Sequence, residues 1–113
     1  ANLAGVDYSL LKLEFTDFSV ANLAGAKFVR TNLKQTQFIR ANVTGADFTG
    51  ANLASANFTG AVIAGANFTN ANMQYTSIII RPAGLFPSNV IWSNTTCIDG
   101  SNSDYVGTCV NRW

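Results

Sequence analysis

Residues 41–60 read ANVTGADFTGANLASANFTG, and the spacing of Val43, Phe48, Leu53 and Phe58 decides the fold. The same five-residue spacing runs outward in both directions. From Leu3 to Ile78 every fifth residue is a large apolar side chain, sixteen times in succession. A period of five fits neither common element. On an α-helix, residues five apart are rotated by about 140°, which scatters the column round the cylinder. On a straight strand, an odd spacing sends successive members to opposite faces. The column can point one way only if the chain turns a corner in every repeat. That is a β-solenoid with its apolar residues inside.

The residue two before the column is Ala at ten of sixteen places and Thr at four more, leaving only Val6 and Leu11. A second inward position beside a large side chain has room only for something small. The residue just before the column is polar nearly throughout, as in Asn2, Asp7, Lys12, Asp17 and Asn22, and is expected to point outward. A longer period lies on top: Gly5, Gly25, Gly45 and Gly65 recur every twenty residues. Glycine at one recurrent corner implies a turn with φ > 0 there on each circuit. The column alternates aliphatic and aromatic down to Phe68, so four repeats per circuit stack Leu on Leu and Phe on Phe. The expected fold is all-β: a quadrilateral β-helix of about four coils over residues 1–80, with a C-terminal capping tail over 81–113. Vertical neighbours are then twenty apart. Asp7, Lys27 and Asp47 form a charge ladder, Glu14 lies under Lys34, and Asn2, Asn22 and Asn42 form an amide ladder. Exposed ion pairs of this kind contribute about 0–1 kcal/mol each and mainly support register.

ANLAGAKF, ANFTNAN and the 41–60 stretch resemble the pentapeptide-repeat family, over about the first seventy per cent of the chain. The resemblance implies a right-handed coil, a handedness that spacing alone does not give. Lys12, Val62 and Leu11 depart from the family pattern.

Arg81-Pro82 stops the repeat, since proline removes a ladder donor and restricts its predecessor. Leu85, Phe86, Val90, Ile91 and Trp92 are read as covering the last coil, and a polar loop follows from Ser93 to Asp104. Cys97 and Cys109 read as a disulfide, because two thiolates without histidine make a poor zinc site; two free thiols are the alternative. The tail WSNTTCIDGSNSD…GTC resembles those of exported pentapeptide-repeat proteins, including thylakoid-lumenal ones. An oxidised pair places the chain outside the cytoplasm: thylakoid lumen, periplasm or extracellular space. Asp99, Asn102 and Asp104 could together hold calcium, but their spacing misses the EF-hand pattern and suits an Asx-rich turn. Asn42, Asn57, Asn67 and Asn94 each open a glycosylation sequon, mostly a by-product of the repeat.

Composition removes whole classes of function. There is no histidine, no Walker-type glycine loop, and the net charge is +1. No apolar run approaches the roughly 18 residues of a membrane span. The chain opens directly on repeat sequence, without a leader, and reads as a mature form or a piece of something longer. Lys27, Arg30, Lys34 and Arg40 concentrate positive charge in the second coil but spread over three faces, so no nucleic-acid partner is expected. No enzyme activity, cofactor or metal is expected either. The candidate contact surface is the first coil, where Leu3, Tyr8, Leu13 and Phe18 meet an open edge and Leu10, Phe15 and Val20 stand outward. The expected function is a structural or protein-binding module that uses this surface. The alternatives are end-to-end self-assembly into an oligomer or filament, and topoisomerase inhibition by DNA mimicry, which the +1 charge disfavours.

Overall fold

The computed structural model describes residues 1–77, 89–91, 93–97 and 99–100. Parallel bridges join residues twenty apart: Asn2 to Asn22 to Asn42 to Val62, and likewise from Asp7, Lys12 and Asp17 upward. The chain therefore climbs in square coils. Coil 1 is 1–20, coil 2 is 21–40, coil 3 is 41–60 and coil 4 begins at 61; faces A to D start at residues 1, 6, 11 and 16 and their equivalents. Lys12 and Val62, which break the sequence pattern, stay in the ladder, bridging Asn32 and Asn42.

Each pair of coils is joined with a fixed polarity. Between coils 1 and 2, eight amides of coil 1 donate upward, as Leu3 to the Asn22 carbonyl at 2.8 Å and Gly5 to Ala24 at 2.9 Å. Four amides of coil 2 donate back, as Asn22 to Ala1 at 2.9 Å. The corners differ from expectation. Positive φ occurs at every fifth residue from Gly5 to Tyr75, not only at the recurrent glycine. All four sides need the same reversal: the Val6 amide donates to the Leu3 carbonyl at 3.3 Å across Ala4-Gly5, with φ +72° at Gly5. A positive φ at the third position alone is the type II pattern. Leu10, Phe15, Val20, Arg30, Gln35, Arg40, Ser55, Asn70 and Tyr75 adopt it without being glycine.

Aromatic side chains fill faces B and D, aliphatic ones faces A and C. Phe48 lies nearly parallel to Phe28 and Phe68, at centroid distances of 5.0 and 5.2 Å. It meets Phe38 and Phe58 edge-on at 5.8 and 5.9 Å. Phe28, Phe38, Phe48, Phe58 and Phe68 are fully buried, as are Leu23, Leu33 and Leu53. Each such side chain contributes about 1.5–3 kcal/mol by leaving water, and each ring pair about 0.5–1.5 more. Thr replaces Ala at a small position without stranding its hydroxyl. Thr31, Thr36 and Thr76 donate to the carbonyls of Tyr8, Leu13 and Leu53, one coil below, at 2.9, 3.0 and 3.0 Å.

The ladder also runs past Pro82. Ile91 bridges Asn67 and Thr96 bridges Asn72, a step of 24 residues instead of 20. Asn94 takes the positive-φ corner, Thr95 donates to the Phe68 carbonyl at 2.6 Å, and Cys97 is fully buried. Ser93–Cys97, expected as loop, thus build a partial fifth coil on faces B and C. Val90 packs on the core and Ile91 is 46% exposed, while Leu85, Phe86 and Trp92 lie outside the described residues.

Candidate contact surface on the first coil

The seven residues expected to form a contact surface divide into three groups. Leu10, Phe15 and Val20 occupy three successive corners and are 72%, 72% and 71% exposed. Leu3, Tyr8 and Leu13 are partly buried and pack against the core. Phe18 is only 8% exposed, stacked on Phe38 at 5.5 Å, and belongs to the core; it is no part of a free surface. Val6 and Leu11 join the exposed group at 38% and 47%. Their equivalents Ala26 and Thr31 are buried, so a large residue at a small position was the available signal.

The residues at the three corners are unusual, not the backbone. Leu10, Phe15 and Val20 have φ of 66°, 63° and 65°. The left-handed region costs an L-residue about 1–2 kcal/mol, and a β-branched residue there is an outlier. The turn imposes this conformation at every corner, so what sets these three apart is an exposed apolar side chain where other corners carry glycine or, mostly, polar residues. Elsewhere the same corners carry Gly25, Gly45, Gly50, Gly60 and Gly65, or Arg, Gln, Ser, Asn and Tyr.

Charge round this surface is mixed. Asp7 accepts from the Ser9 amide and Asp17 from the Ser19 amide, both at 2.9 Å. The Ser9 hydroxyl and then the Ser9 amide hold the Asp7 carboxyl below the ordinary 3.8, with Lys27 adding least. Ser19 does the same for Asp17. Glu14 was expected beneath Lys34. Its carboxylate instead accepts from the Asn32 side-chain amide, and no ion pair closes with Lys34. The Asn columns are turns more than ladders. Asn22 donates to Asn2 at 3.4 Å, but Asn32, Asn42, Asn52 and Asn72 turn their oxygens onto the amide two residues ahead.

The other candidates lie at the far end. Cys109 of the disulfide pair and Asn102 and Asp104 of the calcium group lie outside the described residues. Among the described residues no cluster of His, Cys, Asp or Glu is suited to a metal, and no helix is long and apolar enough to cross a membrane.

A filled core and a regular exterior define a solenoid repeat protein, whose chemistry is confined to its outer faces. The chain belongs to the pentapeptide repeat family: the family model matches eight copies over residues 16–54 and 51–78. Its fold is accordingly the right-handed quadrilateral β-helix. The chain is similar to a pentapeptide repeat protein from the thylakoid lumen of Arabidopsis thaliana. Identity is 28%, covering 93% of this chain and 70% of that one, with a TM-score of 0.80. It is also similar to a pentapeptide repeat protein from the cyanobacterium Cyanothece 51142, at 29% identity, 81% and 64% coverage, and a TM-score of 0.67. HetL from Nostoc sp. strain PCC 7120, involved in heterocyst differentiation regulation, shares the fold at 22% identity and a TM-score of 0.54. That match covers 89% of this chain and 53% of HetL. No curated protein matches the chain by sequence.

Proposed function

We propose that this protein is a non-enzymatic structural or protein-binding module whose first coil carries the contact surface. One observation carries the reading: three strained, exposed apolar corners, Leu10, Phe15 and Val20, in a single coil. Repeat solenoids work by presenting such surfaces to other proteins. The test is a photo-crosslinking phenylalanine analogue at Phe15, with the same analogue at Ser55, two coils higher on the same corner, as control. Adducts from position 15 and none from 55 support the reading; equal labelling overturns it.

The extracytoplasmic location belongs to the same proposal. Its supports are the lumenal relative and Cys97, which is fully buried and not a free thiol. Pairing of Cys97 with Cys109 is the companion proposal, and two reactive thiols in the native protein would defeat it. DNA mimicry gains nothing from the surface, since Lys27, Arg30, Lys34 and Arg40 put four cations in coil 2.

A second reading is end-to-end assembly, whose sense the ladder polarity would fix. A coil seated beneath coil 1 in the same sense repeats the pattern of eight bonds one way and four the other. A copy turned end over end sets carbonyls against carbonyls. Labels at Asp7 of two copies are therefore expected to stay far apart in any end-to-end assembly, and close approach would exclude it.

A further inference from the structure

Two corners of the rod carry the same arrangement ten residues apart. At one, Asp7 precedes the exposed Leu10, with Arg30 above it and Gly50 above that. At the other, Asp17 precedes the exposed Val20, with Arg40 and then Gly60 above. Half a circuit separates them, so they lie diagonally opposite on the square.

Both arginine stems lie beneath the glycine of the next coil. A Cβ at Gly50 would meet Arg30 Cγ at 3.1 Å, and one at Gly60 would meet Arg40 Cγ at 3.2 Å. The aliphatic stems therefore lie along the corner, in the space that glycine leaves. Among the described residues neither guanidinium closes an ion pair. Nor do Asp7 and Asp17 close one; their oxygens turn to Ser9 and Ser19 and remain ionised. Each corner thus has an apolar side chain at one level, with an acid on the face leading to it, and an arginine at the next; Lys27 and then Asp47 lie above Asp7, where Gln37 and Asn57 lie above Asp17. Such a stripe complements its own copy. A half-turn about an axis crossing the corner between coils 1 and 2 sets the acid-and-apolar level of one molecule against the arginine level of another. Isologous contacts are of this kind.

We propose that these two corners seat second copies of this chain, side by side and antiparallel. The proposal rests on the reading of coil 1 as a contact surface and names its partner. With two such corners each molecule takes two neighbours, so the assembly grows past a dimer. Phe15, at a corner with Gln35 and not arginine above it, stays outside these contacts.

Sedimentation velocity of the full chain tests this, across micromolar concentrations and between about 0.05 M and 0.5 M salt. The expected result is mass beyond the dimer at low salt, falling as salt screens the pairs. The double variant Leu10→Gly, Arg30→Gln disables one corner and is expected to stop at a dimer. Adding Val20→Gly and Arg40→Gln is expected to leave a monomer whose Tm is not lowered, since glycine relieves both left-handed corners. A wild-type chain that stays monomeric at low salt overturns the proposal. So does a one-corner variant that assembles as the wild type does, which points to end-to-end stacking instead. The crosslinker at Phe15 separates the two readings: a monomer that still crosslinks to another polypeptide loses the side-by-side assembly and keeps the contact surface.

Discussion

The stem of Arg30 occupies the space a side chain at Gly50 would need, with its Cγ 3.1 Å from the missing Cβ. Gly45, at the neighbouring glycine corner of the same coil, would meet nothing within 4 Å. Both have strongly positive φ, 69° and 66°, so alanine is strained at either. Gly45→Ala is expected to cost about 1–2 kcal/mol from conformation alone. Gly50→Ala is expected to cost more, and the excess of about 0.5 kcal/mol is expected to vanish in an Arg30→Ala background. Urea midpoints of the four proteins decide it; an excess that survives without Arg30 means the stem is not the obstacle.

Phe48 sits in the middle of the aromatic stack, parallel to Phe28 and Phe68 and edge-on to Phe38 and Phe58. Phe48→Ala is expected to cost about 3–5 kcal/mol, because the rings above and below are tied to their own coils and cannot close the gap. A loss under about 2 kcal/mol, read from denaturant unfolding, would mean the stack collapses freely.

Asp7 and Asp17 have carboxyls lowered by Ser9 and Ser19, so the folded form binds protons less readily than the unfolded chain. The sign follows: this stabilisation is present above the ordinary value of 3.8 and is lost as pH falls through the lower folded values. With no histidine in the chain, Tm is expected to stay level through neutral pH and to fall only in acid. Carboxyl NMR titration of Asp7 is expected to give a midpoint below 3.8, rising in Ser9→Ala. An unchanged midpoint in that variant would remove the serine hydroxyl as the cause.

Val20 is β-branched at φ 65° and 71% exposed. Val20→Gly is expected to stabilise the chain by about 1 kcal/mol, the reverse of the usual effect of glycine. Calorimetry reads this as a raised Tm. A lowered Tm would show that Val20 contributes packing that outweighs its backbone strain.

The proposed Cys97–Cys109 bridge would close a loop of about 13 residues, for which chain entropy gives roughly 3 kcal/mol. Reduction is expected to lower Tm accordingly, while leaving coils 1 to 4 folded by circular dichroism. No shift on reduction would leave the bridge without a stabilising role.

Much of this molecule is legible because it repeats. The apolar column from Leu3 to Ile78 set the corners, and the spacing of Gly5, Gly25, Gly45 and Gly65 set four sides. Phe stacking on Phe followed from that count alone, and the rings confirm it. The surface was half legible. Leu10, Phe15 and Val20 are exposed as the sequence implied, but Phe18 is core, with Phe38 stacked on it and Tyr8 and Phe28 edge-on. The partial fifth coil is not legible in the spacing, because four extra residues put Thr95, Thr96 and Cys97 out of phase with everything before them.

The sequence by itself determined the coil, its four sides and the contents of its core, since burial follows spacing along one chain. The structure decided what depends on the neighbouring coil. It placed the Thr36 hydroxyl on the Leu13 carbonyl, turned Glu14 to Asn32 instead of Lys34, and laid Arg30 along Gly50. It also put every corner from Gly5 to Tyr75 in the left-handed region, whether or not glycine stands there. A side chain's partner one coil away is fixed by rotamer and rise, which spacing does not encode. The ladder can hold a residue like Val20 in a strained conformation because the hydrogen bonds and burial on either side outweigh the cost.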